Sequence, residues 1–331
     1  MDDGITRRSA LGALAAVVAT PRSAVAQPNV VRVMIQYGIS YLPLMVMEDD
    51  KLLEKAASDL GHGGVELKVQ RMSGSTAIND ALIAGNADLG VMGVPSLLII
   101  SEKTRGGVKG LASTSSFPMV LNSVAPNLKR LADVSQSDRI AMPASTSPQN
   151  FVLRMAAERI FGDARKLDTN VVALPHPEAM SAMLAGTEIT AHFTNAPFAQ
   201  FEADDKRVHR VMASTEILGG NATFVLLAAN SAWVKAHPEI ATALVQAMDE
   251  AMKRIRVDPA KAAAIYLKYE PSKMKPEFVE AILRDPENVF TTAPNGIMAY
   301  ADFMHRTGQL KSKLDRWQDV FHPQVHGRSG S

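Results

Sequence analysis

From Val30 onward the chain alternates short β-branched runs with helix-periodic stretches, and that alternation leaves few folds open. Val30 to Ile35 reads as a strand broken by Tyr37-Gly38-Ile39-Ser40, and Leu42 to Ala57 then reads as a helix. Val65 to Val69 is the next strand, followed by Ser73-Gly74-Ser75-Thr76. Ala77 to Ala84 is helical and stops at Gly85, a natural residue just past a helix end. Ala87 to Met92 is a strand, and Pro95 fits the first turn of the helix after it, where its missing N–H costs nothing. Strands alternating with helices predict an α/β protein with mostly parallel sheets covered on both faces.

The pattern then echoes itself. Ala77 to Gly85 leads into Asp88-Leu89-Gly90-Val91-Met92-Gly93-Val94-Pro95. About a hundred residues later Ala179 to Gly186 leads into Ile189-Thr190-Ala191-His192-Phe193-Thr194-Asn195-Ala196-Pro197. Both segments read helix, glycine stop, strand, short loop and a proline at a new helix start, which predicts two similar lobes. Val108 to Ala112, Met119 to Leu121 and Asn221 to Ala229 are β-rich and suited to carrying the chain between lobes. After Ala232 the reading is helical: His237 to Ile255, Pro259 to Tyr269, Pro276 to Leu283 and Ile297 to Val320. The expected plan is a discontinuous first lobe, residues 27–116 with 222–331, and an inserted second lobe, residues 117–221.

The amino terminus carries a different signal. Arg7-Arg8 precede an apolar run from Ala10 to Ala19, and Pro21 and Ala24-Val25-Ala26 follow. This is the layout of a secretory signal over residues 1–26, and its apolar run is about half the ~20 residues that a bilayer span needs. The adjacent arginines in Thr6-Arg7-Arg8-Ser9-Ala10-Leu11 suit a twin-arginine signal, and a Sec signal with two arginines in its basic end is the alternative. Lys+Arg is 35 and Asp+Glu is 34, a balance that argues against nucleic-acid binding. The chain has no cysteine, so thiolate metal sites, disulfides and cysteine nucleophiles are excluded.

Tyr37-Gly38-Ile39-Ser40-Tyr41-Leu42-Pro43-Leu44, Ser73-Gly74-Ser75, Asp80-Ala81-Leu82-Ile83-Ala84-Gly85-Asn86-Ala87-Asp88 and Gly93-Val94-Pro95 together resemble the substrate-binding proteins of nitrate/sulfonate/taurine-type ABC importers. The same broad family includes relatives of thiamine-pyrimidine binding and biosynthesis proteins. The resemblance covers nearly the whole chain after the signal. It implies a type II periplasmic-binding-protein fold, two α/β lobes with the ligand in the cleft between them.

In open α/β sheets ligands sit beyond the carboxyl ends of the strands. The candidate ligand contacts in the first lobe are therefore Tyr37, Ser40, Tyr41, Ser73, Gly74, Ser75, Thr76, Gly93, Val94, Ser113 and Thr114. In the second lobe they are Ser145, Thr146, Ser147, Gln149, His176, Thr194 and Asn195. Several of these loops open helices, where free N–H groups favour an anion or a polar oxygen. A Ser or Thr there is also an ordinary cap that needs no ligand. Pro143-Ala144 stands where the resembling family commonly has a glycine. Arg71 is the nearest cation, and a site held by neutral dipoles suits an oxyanion better than a cation. Tyr37, Tyr41 and Phe198 either stack on a flat ring or pack in the core.

His62-Gly63-Gly64 has no G-x-S-x-G nucleophile partner, and no H-E-x-x-H motif points to a metal. The expected function is capture of a small solute, a sulfonate, nitrate-like or other small organic anion, outside the cytoplasm. It needs no cofactor and no reaction, its partner is an ABC permease, and the protein is expected to be a periplasmic monomer that hinges shut on its ligand. Two alternatives stay open: an enzyme of the pyrimidine-biosynthesis type that uses His176, and a binding protein that presents its closed form to a sensory receptor.

Overall fold

The structure is a computed structural model that describes Met1, residues 29–72 and residues 74–331. The export signal read between Arg7 and Ala26, and Ser73, lie outside the described residues. Among the described residues ten strands form two five-stranded sheets. The first contains β1 (Asn29–Ile35), β2 (Val65–Arg71), β3 (Leu89–Gly93), β4 (Val108–Ser115) and β10 (Val225–Asn230), in the order β2-β1-β3-β10-β4. The second contains β5 (Val120–Ser123), β6 (Ile140–Met142), β7 (Val171–Ala173), β8 (Ala191–Thr194) and β9 (His209–Ala213), in the order β7-β6-β8-β5-β9.

The two sheets repeat one pattern of pairing. In each, the first three strands of the order run parallel and the fourth lies antiparallel to both of its neighbours. The antiparallel strand is always the one that arrives from the other lobe: β5 directly follows β4, and β10 follows β9. The sequence echo maps onto this plan, because β3 and β8 hold the same central position and both preceding helices stop at a left-handed glycine, Gly85 (φ 72°) and Gly186 (φ 69°). The connecting segments run side by side: the Phe224 N–H donates to Ser115 O at 2.8 Å and the Ser214 N–H to Met119 O at 2.8 Å.

Thirteen helices cover the sheets among the described residues. They are α1 (Leu42–Asp49), α2 (Leu52–Asp59), α3 (Ser75–Ile83), α4 (Val94–Lys103), α5 (Pro148–Phe161), α6 (His176–Leu184), α7 (Phe198–Ala203), α8 (Ser214–Leu218), α9 (Ser231–Ala236), α10 (Pro238–Val257), α11 (Pro259–Tyr269), α12 (Pro276–Arg284) and α13 (Ile297–Arg306). Strands β3 and β8 are buried along their whole length, as strands covered on both faces must be. Gly90 lets α3 lie directly on β3, since a Cβ there would sit 2.3 Å from Ile78 Cγ2. One continuous apolar core joins residues of both lobes, and a smaller cluster of Ala141, Ala179, Met183 and Ile189 sits under α6.

Three helical readings change. The helix expected from Leu42 to Ala57 is two, because Lys51 adopts a left-handed backbone (φ 51°) between α1 and α2. Asp50 at this break is held by Arg254 at 2.5 Å and Lys261 at 3.0 Å, contacts about two hundred residues away in the chain. The helix expected from Ile297 to Val320 ends at Arg306, followed by left-handed Gly308 and only a short 3-10 turn at Trp317–Val320. His176, read as a loop residue, is the first residue of α6.

Candidate functional site

The carboxyl ends of the parallel strands of both sheets face each other across a cleft. A small cavity of about 30 Å³, room for one water, is enclosed there. Gln36, Tyr37, Tyr41, Ser75, Gly93, Phe224 and Val225 line it from the side of the first sheet. Pro143, Ser147, Pro148, Gln149, His176 and Asn195 line it from the side of the second. The lobes touch around it: Ser96 Oγ donates to Thr146 O at 3.1 Å, Arg306 pairs with Glu158, and Gly93 packs on Pro148.

Eight of the expected contacts lie on this cavity: Tyr37, Tyr41, Ser75, Gly93, Ser147, Gln149, His176 and Asn195. Ser40 and Thr114 are buried beside it, with hydroxyls that have no partner. Val94 is buried in the first turn of α4, the Ser113 hydroxyl pairs with Thr223 Oγ1 at 3.1 Å, and Thr194 Oγ1 donates to Asn195 O. Thr76 and Ser145 point to solvent, while Thr146 is half-buried and uses its carbonyl to hold Ser96. Gly74 is extended (φ 178°), and a side chain there would meet nothing within 4 Å. Ser147 acts as the cap of α5 and accepts the Asn150 N–H at 3.4 Å.

Two polar atoms stand out on the cavity wall. Gln149 Oε1 and Asn195 Oδ1 are buried without a hydrogen-bond partner, although Asn195 Nδ2 is committed to Ala196 O at 2.9 Å. Buried polar atoms left unpaired in this way cost free energy unless something arrives to satisfy them. Arg71, near the cavity, keeps free donors: its Nε and Nη2 are buried without a hydrogen-bond partner. Arg71 lies 3.6 Å from Glu270, whose carboxylate also accepts the Gly38 N–H at 3.0 Å and the Tyr266 hydroxyl at 3.0 Å. Burial pushes the Glu270 carboxyl up, and the Gly38 N–H and Arg71 oppose that shift. The cleft is thus lined mostly by dipoles, with the Arg71–Glu270 ion pair and the unpaired Arg71 N–H groups at one edge.

A larger apolar chamber of about 440 Å³ opens beside the polar cavity and shares Tyr37 with it. Met180, Pro197, Phe198 and Phe201 form one wall, and Tyr266, Tyr269, Pro271 and Met274 form the other, where Glu270 and Lys273 also reach the lining. Phe198 serves here as wall and also stacks on the His176 ring at 5.3 Å.

Behind His176 runs a buried chain that the sequence reading missed. His176 Nδ1 lies 2.8 Å from His192 Nε2, and His192 Nδ1 lies 2.5 Å from Glu202 Oε1. Asn122 Nδ2 donates to Glu202 Oε2 at 3.0 Å and to Ala199 O at 3.2 Å. Burial lowers His192 to about 3 and raises Glu202 to about 8. Burial and the neighbouring His192 hold His176 well below the usual histidine value, against a smaller opposing effect of the Asn195 side chain. One signal for this chain was present: His192 sits in the middle of a fully buried strand, where a polar ring must find partners. The partners come from β5 and α7 and cannot be read locally.

Comparison with known proteins places this architecture. The alkanesulfonate-binding protein SsuA of Xanthomonas axonopodis pv. citri, solved with bound MOPS, superimposes with a TM-score of 0.72 at 15% identity, over 90% of this chain and 99% of that one. The periplasmic aliphatic sulphonate-binding protein SsuA of Escherichia coli gives 0.67 at 17% identity, over 89% and 99%. The periplasmic nitrate-binding protein NrtA of Synechocystis PCC 6803 gives 0.69 at 13% identity, over 88% and 85%. The fold is therefore the two-lobed periplasmic-binding-protein fold, as expected. A sequence search finds no match among curated proteins. The NMT1-like family model matches residues 28–267, and the chain belongs to the NMT1-like family.

Proposed function

We propose that this protein captures a small organic anion outside the cytoplasm and delivers it to an ABC importer. The observation that carries this reading is the cavity between the lobes, where the Gln149 amide, held only by a 3.5 Å contact to His176, can turn its NH₂ to an oxyanion. The α5 N-terminus opens on the same cavity and supplies further polar groups without a fixed charge. The apolar chamber beside it gives a ligand body a place to lie, which favours an organic sulfonate or carboxylate over nitrate. The sulfonate and nitrate binders among the structural relatives support the same class.

The two lobes, assigned to residues 27–116 with 222–331 and to residues 117–221, close like a hinge and present the closed face to a membrane permease as a monomer. Among the described residues no helix is long and apolar enough to cross a membrane. Export uses the signal before Gln27, with Arg7-Arg8 fitting the twin-arginine route. No reaction is proposed, because His176 is engaged by His192 and Phe198 and acts as a hydrogen-bonding wall.

Calorimetric titration with methanesulfonate, taurine, benzenesulfonate, benzoate and nitrate tests the class. At least one organic anion should bind more tightly than nitrate. Tight binding of a neutral heterocycle, with none of these anions bound, would overturn the reading.

A further inference from the structure

We propose that Glu202, His192 and His176 form a buried proton relay that decides whether the cleft wall offers a hydrogen-bond donor or an acceptor, so that holding an anionic oxygen depends on one proton stored at Glu202. The inference rests on the anion reading above for its ligand, and on geometry alone for the relay. Three contacts connect the parts in series: Glu202 Oε1 to His192 Nδ1 at 2.5 Å, His192 Nε2 to His176 Nδ1 at 2.8 Å, and His176 Nε2 to the Gln149 amide at 3.5 Å. His192 and Glu202 are fully buried, and His176 and Gln149 are nearly so and line the cavity.

Each imidazole in such a series has one donor and one acceptor nitrogen, so fixing one end fixes the other. With a proton on Glu202, its carboxyl donates to His192 Nδ1, His192 Nε2–H donates to His176 Nδ1, and His176 keeps its proton on Nε2. The Gln149 oxygen then accepts from His176, and its NH₂ turns to the cavity. When the proton leaves Glu202, the carboxylate accepts from His192 Nδ1–H and His192 Nε2 accepts from His176 Nδ1–H. His176 Nε2 becomes an acceptor, Gln149 gives it the NH₂, and the amide oxygen faces the cavity instead. The two states differ by one proton and one charge. Asn122 donates to Glu202 Oε2 in both.

Burial supports the assignment of the titrating group. It holds both histidines neutral and leaves Glu202, raised to about 8, as the member that gains or loses a proton near neutral pH. The charged groups on the surrounding elements face elsewhere. Glu178 on α6 and Asp204 after α7 are exposed, Asp205 pairs with Arg207, and Arg210 on β9 pairs with Glu216. Arg139, just before β6, is bonded to the Gln136 and Asp138 carbonyls. Across the cleft Glu270 is paired with Arg71. An anion binds the donor state, so its affinity is level below the Glu202 transition and falls by up to about tenfold per pH unit above it.

Long-range ¹H–¹⁵N correlation spectra of the full chain without ligand, from pH 5.5 to 9.5, read the ring tautomers directly. His176 should carry its proton on Nε2 at low pH and on Nδ1 at high pH, with a midpoint near 8. In Glu202→Gln the new amide oxygen takes the Asn122 bond and its NH₂ donates to His192, so the donor tautomer should persist at every pH. Benzenesulfonate, which does not itself titrate in this range, should bind wild type with the predicted alkaline fall and bind Glu202→Gln with a flat profile. A His176 tautomer that never changes, or one that still changes in Glu202→Gln, overturns the relay. If benzenesulfonate and the other anions fail to bind while the tautomer switches, the anion reading falls and the relay stands.

Discussion

Gly93→Ala isolates the closing of the lobes from the folding of either one. Gly93 ends β3 and has an ordinary extended backbone (φ −73°), so alanine is not strained there. A Cβ at this position would lie 2.4 Å from Pro148 Cγ and 2.5 Å from Pro148 Cδ, whereas its nearest neighbour within the first lobe, Phe224 O, is at 3.6 Å. The obstacle thus belongs to the opposite lobe. Restoring ordinary contact requires the lobes to part by about 1 Å at this point. Overpacking of this kind costs ~1–3 kcal/mol. Because it falls only on the closed form, it should weaken ligand affinity by about 5- to 150-fold. Titration with a bound anion from the panel measures the affinity, and thermal unfolding of the ligand-free protein measures stability. Affinity within twofold of wild type would show that closure at Gly93 is not needed for binding. A large loss of ligand-free stability would show that Gly93 and Pro148 form a permanent core contact instead of a hinged one.

Gly110→Ala should do the opposite, because its Cβ would meet the Phe321 ring at 2.4–2.8 Å inside the first lobe; it should cost ~1–3 kcal/mol in urea unfolding and leave affinity unchanged. Two buried groups bend the pH dependence of stability in opposite directions. The buried His322, lowered to about 4, contributes stability that is whole above the unfolded value of ~6.5 and lost as pH falls through about 4, roughly 3 kcal/mol in all. Glu202 has the reverse sign: its folded value of about 8 lies above the unfolded one, so stability declines as pH rises from ~4.5 through about 8. The two windows overlap between ~4.5 and ~6.5 and offset each other there, so urea unfolding from pH 4 to 9 should show wild-type stability falling between ~6.5 and about 8, and that fall absent in Glu202→Gln; stability that climbs through pH 8 would contradict the assignment.

The parts of the fold that sequence disclosed are those set by local pattern. Gly85 and Gly186 end helices whose following strands occupy equivalent positions in the two sheets, so a repeated helix–glycine–strand unit became a repeated topology. The break at Lys51 was not legible, because the apolar pattern runs through it and the ion pairs of Asp50 reach α10 and α11. In the cleft, helix starts were found by type, and local geometry decided the rest: in the first turn of α3 Ser75 is buried and Thr76 exposed, and before α5 the cap Ser147 is buried while the loop residue Ser145 is exposed. The relay stayed hidden because Asn122, His176, His192 and Glu202 sit on β5, α6, β8 and α7, and only sheet order brings them together.

Native mass spectrometry of the protein purified gently from the exporting cell tests the central claim most directly. The account predicts one small organic anion held per chain, absent from spectra of the denatured protein, and exchanged by the panel anion that binds best. A chain that never carries or takes up an anion, or one that shows a stable covalent mass increase on His176, would contradict it.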